Sequence, residues 1–175
     1  EEDCVPATAP CSSISYNTAE AGTAVYTNDD ITINHTFITD NEATVVHILQ
    51  LAGNADLTLI NVLLKNNVVD AGAIIYNNFA SGSLNLAHVT AKDNDADDIV
   101  SAPTGDIIVI GSILYDNTYS DDTIDASLGA TLTGSCNDIE TPSDVPGGAN
   151  NLDVDPDWSG DVPQEEDVLD ICPAL

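Results

Sequence analysis

An eleven-residue pattern recurs five times in this chain and restricts its fold more than any other feature. The windows begin at Ile31, Leu57, Leu84, Ile107 and Ala130, so successive starts lie 26, 27, 23 and 23 residues apart. Positions one and three are apolar in every window, and small or apolar residues recur in most windows at positions six and eight. This alternation predicts two short strands that meet at a corner, each with one face turned inward.

Stacking the windows predicts an all-β fold, a parallel β-helix (a solenoid) of about five coils. A coil is one turn of the chain around the solenoid axis. Equivalent side chains of neighbouring coils would lie about 4.8 Å apart, the spacing of hydrogen-bonded strands. Glycines between the windows mark where a third strand enters and leaves.

Position eleven carries the most specific signal. It is asparagine in four windows, as Asn41, Asn67, Asn94 and Asn117, before changing to Glu140. Asparagine tolerates turn geometry, and its side-chain amide can donate a hydrogen bond to the next coil. A surface turn explains one such residue, whereas four in register predict a stacked structural ladder.

The four cysteines lie toward the ends of the chain, as Cys4, Cys11, Cys136 and Cys172. Four cysteines allow three pairings, of which we favour Cys4 with Cys11 and Cys136 with Cys172. The even number and the absence of a CxxC spacing favour disulfides in an oxidising, extracellular compartment, with four buried free thiols as the alternative.

The length of 175 residues fits one structural domain. Within it we assign an N-terminal cap to 1–20, the coils to 21–136, and a C-terminal coil and cap to 137–175, with disulfides pinning both caps. The ends of a solenoid are open sheet edges, so the caps would either block self-association or mediate it end to end.

The charge is extreme, because thirty Asp and Glu face only Lys65 and Lys92 and the net charge is -28. Nucleic acid and anionic membranes are therefore excluded as partners. The chain contains no Met and no charged segment followed by an apolar run. We expect a secreted protein, extracellular or at the cell surface, whose export signal has been removed.

Calcium is the one cofactor that the sequence suggests. Asp153, Asp155 and Asp157 alternate near the C-terminal end, and another acidic cluster spans 95–98. Carboxylate oxygens suit calcium, although this DxDxD string lacks the glycine and distal Glu of an EF-hand loop.

No catalytic residue can be assigned. A polysaccharide lyase of this fold needs a basic residue, and only Lys65 and Lys92 qualify. Asp40, Asp93 and Asp116 could supply the acid and base of an inverting glycoside hydrolase, which stand roughly 6.5–9.5 Å apart. Thirty acidic residues make coincidental pairs unavoidable, so we lean against an enzyme.

The three histidines are interpreted as structural or exposed residues. His35 and His88 share position five but are separated by Asn61, which places them about 10 Å apart, too far to share one metal. His47 stands alone between two windows.

Three segments resemble the pectin-lyase-like superfamily of right-handed parallel β-helices, especially secreted bacterial proteins of the choice-of-anchor type. They are 57–67 (LTLINVLLKNN), 71–78 (AGAIIYNN) and 150–157 (NNLDVDPD). The resemblance implies a right-handed solenoid and export, but no activity, because the same coils carry lyases, hydrolases and adhesins.

The sequence favours a non-enzymatic structural or adhesive module outside the cell, self-assembling into fibres in one version of this hypothesis. The alternative is a carbohydrate-active β-helix, either similar to an inverting glycoside hydrolase or a sugar-binding module.

Overall fold

The computed structural model describes residues 12–77, 82–102, 104–121, 123–126, 132–135 and 137–140, which wind through five coils and begin a sixth. The strands, in chain order, are β1 (Ser12–Ser15), β2 (Thr18–Ala21), β3 (Val25–Thr27), β4 (Ile31–Thr39), β5 (Glu42–Val46), β6 (Leu49–Leu51), β7 (Leu57–Lys65), β8 (Val68–Val69), β9 (Ala73–Asn77), β10 (Ser83–Lys92), β11 (Asp95–Ala96), β12 (Asp98–Ser101), β13 (Asp106–Ile110), β14 (Ile113–Leu114), β15 (Thr118–Tyr119), β16 (Ile124–Asp125), β17 (Leu132–Ser135) and β18 (Asp138–Ile139). Over these ranges, no helix is long and apolar enough to cross a lipid bilayer.

Three sheets run along the solenoid axis. Sheet A joins β1, β4, β7, β10, β13 and β17 in that order, and β14 lies between β10 and β18. Sheet B joins β2, β5, β8, β11 and β15, and sheet C joins β3, β6, β9, β12 and β16. Neighbouring strands come from successive coils and pair in parallel, as in β4 with β7. The predicted all-β parallel solenoid of about five coils is therefore confirmed.

The register of the first four windows is also as predicted. Ile31 pairs with Leu57, Leu57 with Leu84, and Leu84 with Ile107. Each apolar column of the sequence is thus a continuous row of side chains along the axis.

The register predicted for the fifth window is wrong by two residues. Ile107 pairs with Leu132 rather than with Ala130. This shift sets Ile139 against Leu114, and both side chains are fully buried. The predicted register would have placed an asparagine against that leucine, which costs free energy because a buried amide needs hydrogen-bond partners.

The predicted corner between positions three and six lies at position five. His35, Asn61, His88 and Gly111 adopt left-handed φ values of 48°, 53°, 54° and 56°. In three coils the strand continues through this bend as β4, β7 and β10, whereas in the fifth coil it is divided into β13 and β14. The inward-pointing residues therefore change from odd positions before this bend to even positions after it, without an intervening loop.

The core consists of the inward columns. Leu59, Leu86 and Val109, at position three of their windows, are no more than 1% exposed. Burying a side chain of this size contributes roughly 1.5–3 kcal/mol. Stacked rows of Leu, Ile and Val therefore supply most of the stabilisation that holds the coils together.

The first coil begins inside the segment assigned to the N-terminal cap. Ser12 of β1 pairs with Thr36, and Thr18 of β2 pairs with Glu42. No residue from 12 to 30 is buried, in contrast to the coils that follow. The remaining residues assigned to the caps lie outside the described residues, apart from β18 and its two flanking residues. Outside the described residues also lie the four cysteines, Cys4, Cys11, Cys136 and Cys172. The disulfides therefore stay a prediction.

Candidate functional site

The second corner of each coil is formed by one left-handed residue that precedes an asparagine. Tyr16, Asp40, Asn66, Asp93 and Asp116 occupy this corner with φ between 55° and 57°. Asn and Asp enter this region at lower cost than most residues because their short polar side chains bond locally. The tight turn directs the following asparagine into the solenoid.

The asparagines at position eleven form a continuous hydrogen-bonded ladder. The side-chain Nδ2 of Asn41 donates to Oδ1 of Asn67 at 3.0 Å, and Asn67 and Asn94 donate likewise to Asn94 and Asn117 at 2.9 Å. The backbone N–H of each donor residue reaches the same oxygen at 3.0–3.1 Å. Each oxygen thus accepts two bonds from the preceding coil.

The second amide hydrogen of each asparagine bonds in the opposite direction. Asn67 Nδ2 donates to the carbonyl of Ile38, and Asn94 Nδ2 to that of Leu64, both at 2.9 Å. Asn67 and Asn94 are no more than 1% exposed. Their polar atoms are therefore satisfied by protein, as burial requires, and serve a structural purpose.

Sequence reasoning missed the first member of the ladder. Asn17 Nδ2 donates to Asn41 Oδ1 at 2.9 Å, and its backbone N–H reaches the same oxygen at 3.1 Å. The signal was present, because Tyr16 and Asn17 precede Asp40 and Asn41 by 24 residues. The apolar positions used to find the windows begin only at Ile31.

Outside the asparagine ladder, the lysines pair with aspartates of the next coil. Lys65 Nζ lies 3.9 Å from Asp93 Oδ2, and Lys92 Nζ lies 3.6 Å from Asp116 Oδ2. In the same row, Asn66 Nδ2 donates to Asp40 Oδ1 at 3.2 Å. The two lysines considered for a lyase therefore contact two of the three aspartates considered for a glycoside hydrolase, across coils.

Other aspartates act as acceptors for the backbone of a neighbouring coil. Asp97 accepts the Gly72 N–H on one oxygen and the Ser120 hydroxyl on the other, each at 2.7 Å. Asp56 Oδ1 accepts the backbone N–H and the hydroxyl of Ser83 at 2.8 and 2.9 Å. These acids stabilise the stack by charge-assisted hydrogen bonds.

The described residues contain no group of three or more His, Cys, Asp or Glu that could hold a metal ion. The cluster at 95–98 lies within this region, and its Asp97 carboxylate is engaged by two donors. Asp153, Asp155 and Asp157 lie outside the described residues, so the calcium hypothesis stays a prediction.

His47 is a buried histidine at the third corner, between β5 and β6. Its Nδ1 accepts the Ala73 N–H at 3.0 Å, and its ring stacks on Tyr76 with centroids 3.8 Å apart. Burial lowers the pKa of His47 to about 4. A Cβ on Gly72 would lie 2.8 Å from the ring, so a glycine is needed there.

His35 and His88 lie exposed at the first corner, on either side of Asn61. Asn61 Nδ2 lies 3.2 Å from His35 Nε2. The His88 ring covers Gly111, where a Cβ would lie 3.0 Å from it. In the structure, one histidine is buried and two are exposed, which fits the structural interpretation.

The outer surfaces of the sheets differ in charge. Sheet B and the turns that follow its strands carry Glu20, Glu42, Asp70, Asp95 and Asp97. By contrast, on the outer side of sheet A, the first half of each strand from β4 onward has no charged residue at window positions two and four. We call these residues the uncharged face: Thr32, Asn34, Thr58, Ile60, Asn85, Ala87, Ile108, Ile110 and Thr133.

No protein-family profile, no curated protein and no solved structure matches this chain.

Proposed function

We propose that this protein is a non-enzymatic structural or adhesive solenoid, secreted and held outside the cell or at its surface. The observation that carries the proposal is that polar residues singled out in the sequence, whether for the asparagine ladder, for calcium or for catalysis, bond between coils. Asn67, Asp97 and Lys92 each join one coil to the next. A rod whose polar side chains tie successive coils suits a spacer or a scaffold.

We also propose the handedness of the solenoid and the nature of its caps. Segments 57–67 and 71–78, which resemble pectin-lyase-like proteins of the choice-of-anchor type, lie in or next to β7 and β9. We propose a right-handed solenoid with disulfide-pinned caps, and end-to-end self-association through those caps. Alkylation of cysteines before and after reduction, read by mass spectrometry, tests the pairing of Cys4 with Cys11 and of Cys136 with Cys172.

The net charge of -28 supports a saline or calcium-containing setting, because counter-ions reduce repulsion between carboxylates. It also argues against nucleic acid or an anionic membrane as a partner.

An assay of turnover on neutral and acidic polysaccharides separates this proposal from the carbohydrate-active alternative. We expect no turnover by the wild-type protein. Turnover that disappears in Asp93→Ala or Asp116→Ala would overturn the structural role, because these carboxylates would then be catalytic rather than partners of Lys65 and Lys92.

A further inference from the structure

The uncharged face is a regular array of side chains on a strongly acidic protein. It has two columns of side chains from successive coils, set by the pairing of Thr32 with Thr58 and of Ala87 with Ile110. Ile108 and Ile110 are 37% and 41% exposed. Exposed isoleucines in such a row are costly in water, and this makes the face a candidate interface.

The distribution of charge bears on which partner could cover the uncharged face. Two chains of net charge -28 repel each other on approach, most strongly where carboxylates face carboxylates. Sheet B carries five acids on its outer side and the turns after it, whereas the uncharged face carries none. Contact through the uncharged face turns the acidic outer surface of sheet B outward in both copies, so two copies meet there with less repulsion than they would through sheet B.

The spacing also favours a second copy. Rows lie about 4.8 Å apart along the axis, and residues two apart on a strand are separated by about 6.8 Å. Two copies present the same repeat, so the side chains of one array fit between those of the other, as in face-to-face sheets about 10 Å apart. Small residues such as Ala87 and Thr58 permit this close approach.

The residues at the two edges of the uncharged face favour one orientation of a second copy relative to the first. One edge carries Asp30, Asp56 and Asp106, which directly precede the windows, and the opposite edge carries the corner residues His35 and His88. A two-fold axis parallel to the solenoid axis places the aspartate edge of each copy against the histidine edge of the other. This avoids facing rows of carboxylates and gives a closed, isologous dimer.

We infer that the uncharged face is a self-association surface on which a second copy of this chain packs, sheet A against sheet A. The inference rests on the proposed structural role and names its partner. The array covers about 300 Å², from nine side chains that each occupy about 4.8 Å by 6.8 Å of the sheet. This is less than half of the roughly 800 Å² per partner in a standard complex, so the dimer is weak and forms at high protein concentration.

Sedimentation equilibrium from about 10 μM to about 1 mM protein, in high salt, tests this inference over the range of a weak complex. We expect wild type to dimerise and Ile110→Asp to raise the dissociation constant at least tenfold. Val68→Asp is the matched control, because Val68 is 40% exposed on sheet B and Ile110 is 41% exposed. That control should dimerise as wild type does.

A second variant separates charge from contact. Ala87→Gln adds no charge but lengthens a side chain in the middle of the array, so it should also weaken the dimer. Circular dichroism and urea unfolding of each variant show whether the coils remain folded.

The inference would be overturned if wild type stayed monomeric at every concentration, or if Ile110→Asp dimerised as well as Val68→Asp. If monomeric wild type bound a neutral polysaccharide and Ile110→Asp did not, the face would bind sugar instead of a second copy. A monomer without polysaccharide turnover leaves the proposed structural role standing. Turnover by a dimer would remove that role while leaving the interface.

Discussion

Asn67 and Asn94 are joined by two hydrogen bonds to one oxygen. The Asn67 side-chain amide and its backbone N–H both reach Asn94 Oδ1, at 2.9 and 3.0 Å. The two residues lie 27 positions apart in the chain and are buried. The contact therefore fixes the register of one coil on the next in a place where water cannot replace it.

Asn67→Asp should strongly destabilise the protein. The substitution removes the donors to Ile38 and Asn94 and sets a carboxylate against their oxygens. Because the site is buried, we expect a loss of about 3–5 kcal/mol in the free energy of unfolding, measured by urea denaturation at neutral pH. Asn66→Asp makes the same chemical change at the exposed neighbouring position and should cost about 1 kcal/mol or less. Equal losses would contradict the role of the ladder.

The stability of the protein should carry a pH signature from His47. Its folded pKa of about 4 lies below the ordinary value of 6.5. Below about pH 6.5 the unfolded chain therefore binds a proton that the folded state does not bind until about pH 4. The free energy of unfolding falls as the pH is lowered through that window. The contribution is on the order of 3 kcal/mol.

His47→Asn isolates the contribution of this histidine. Carboxylates titrate in both proteins, so their effect cancels when the stability of the variant is subtracted from that of wild type. Urea unfolding between pH 7 and 4 should show a steeper loss for wild type than for the variant. Parallel curves for wild type and His47→Asn would refute the prediction.

Lys92→Gln should have a small effect that depends on salt. The Lys92 ammonium lies 3.6 Å from Asp116, whose side chain is 41% exposed. Partly exposed pairs contribute about 0–1 kcal/mol, so we expect a loss in that range at low salt and a smaller one at high salt. Lys92→Arg keeps the charge and serves as the control. A loss unaffected by salt would indicate a packing role for the lysine stem.

Sodium chloride should stabilise the folded protein. A net charge of -28 is concentrated when the chain folds, and raising the salt from about 0.01 M to about 1 M shortens the Debye length from about 30 Å to about 3 Å. The urea midpoint should rise over this range. Calcium chloride at equal ionic strength is the comparison, because a larger rise with calcium would favour specific binding, as predicted for Asp153, Asp155 and Asp157.

The sequence predicted the parts of the fold that repeat. Ile31, Leu57, Leu84 and Ile107 could be aligned because one side-chain type must fill each inward column. The fifth window was aligned wrongly because Leu132, the partner of Ile107, lies 25 residues after it, whereas Ile107 lies 23 residues after its own partner Leu84. Ala130 and Leu132 match the apolar positions one and three, whereas the observed register sets Gly134 beside Val109, so the alignment was two residues off.

The corner around His47 could not be predicted, because its contacts depend on a part of the coil that lies between the windows. Gly72 and Tyr76 enclose the ring only because β6 and β9 pair in parallel, with Gln50 beside Tyr76. The histidine ring over a glycine of the next coil recurs at His88 and Gly111, but with a different spacing. The stacking of His47 on Tyr76 has no second example among the described residues, and such a contact leaves no periodic trace in a sequence.

The ladder has a mechanical consequence. Its hydrogen bonds run along the solenoid axis and connect residues 23–27 positions apart. A pulling force along the axis loads these bonds in series, so coils detach one at a time rather than sliding past one another. Each detachment releases one coil of chain, roughly 80–90 Å at full extension. Stretched from its ends, the rod would lengthen in discrete steps and act as a series of sacrificial links.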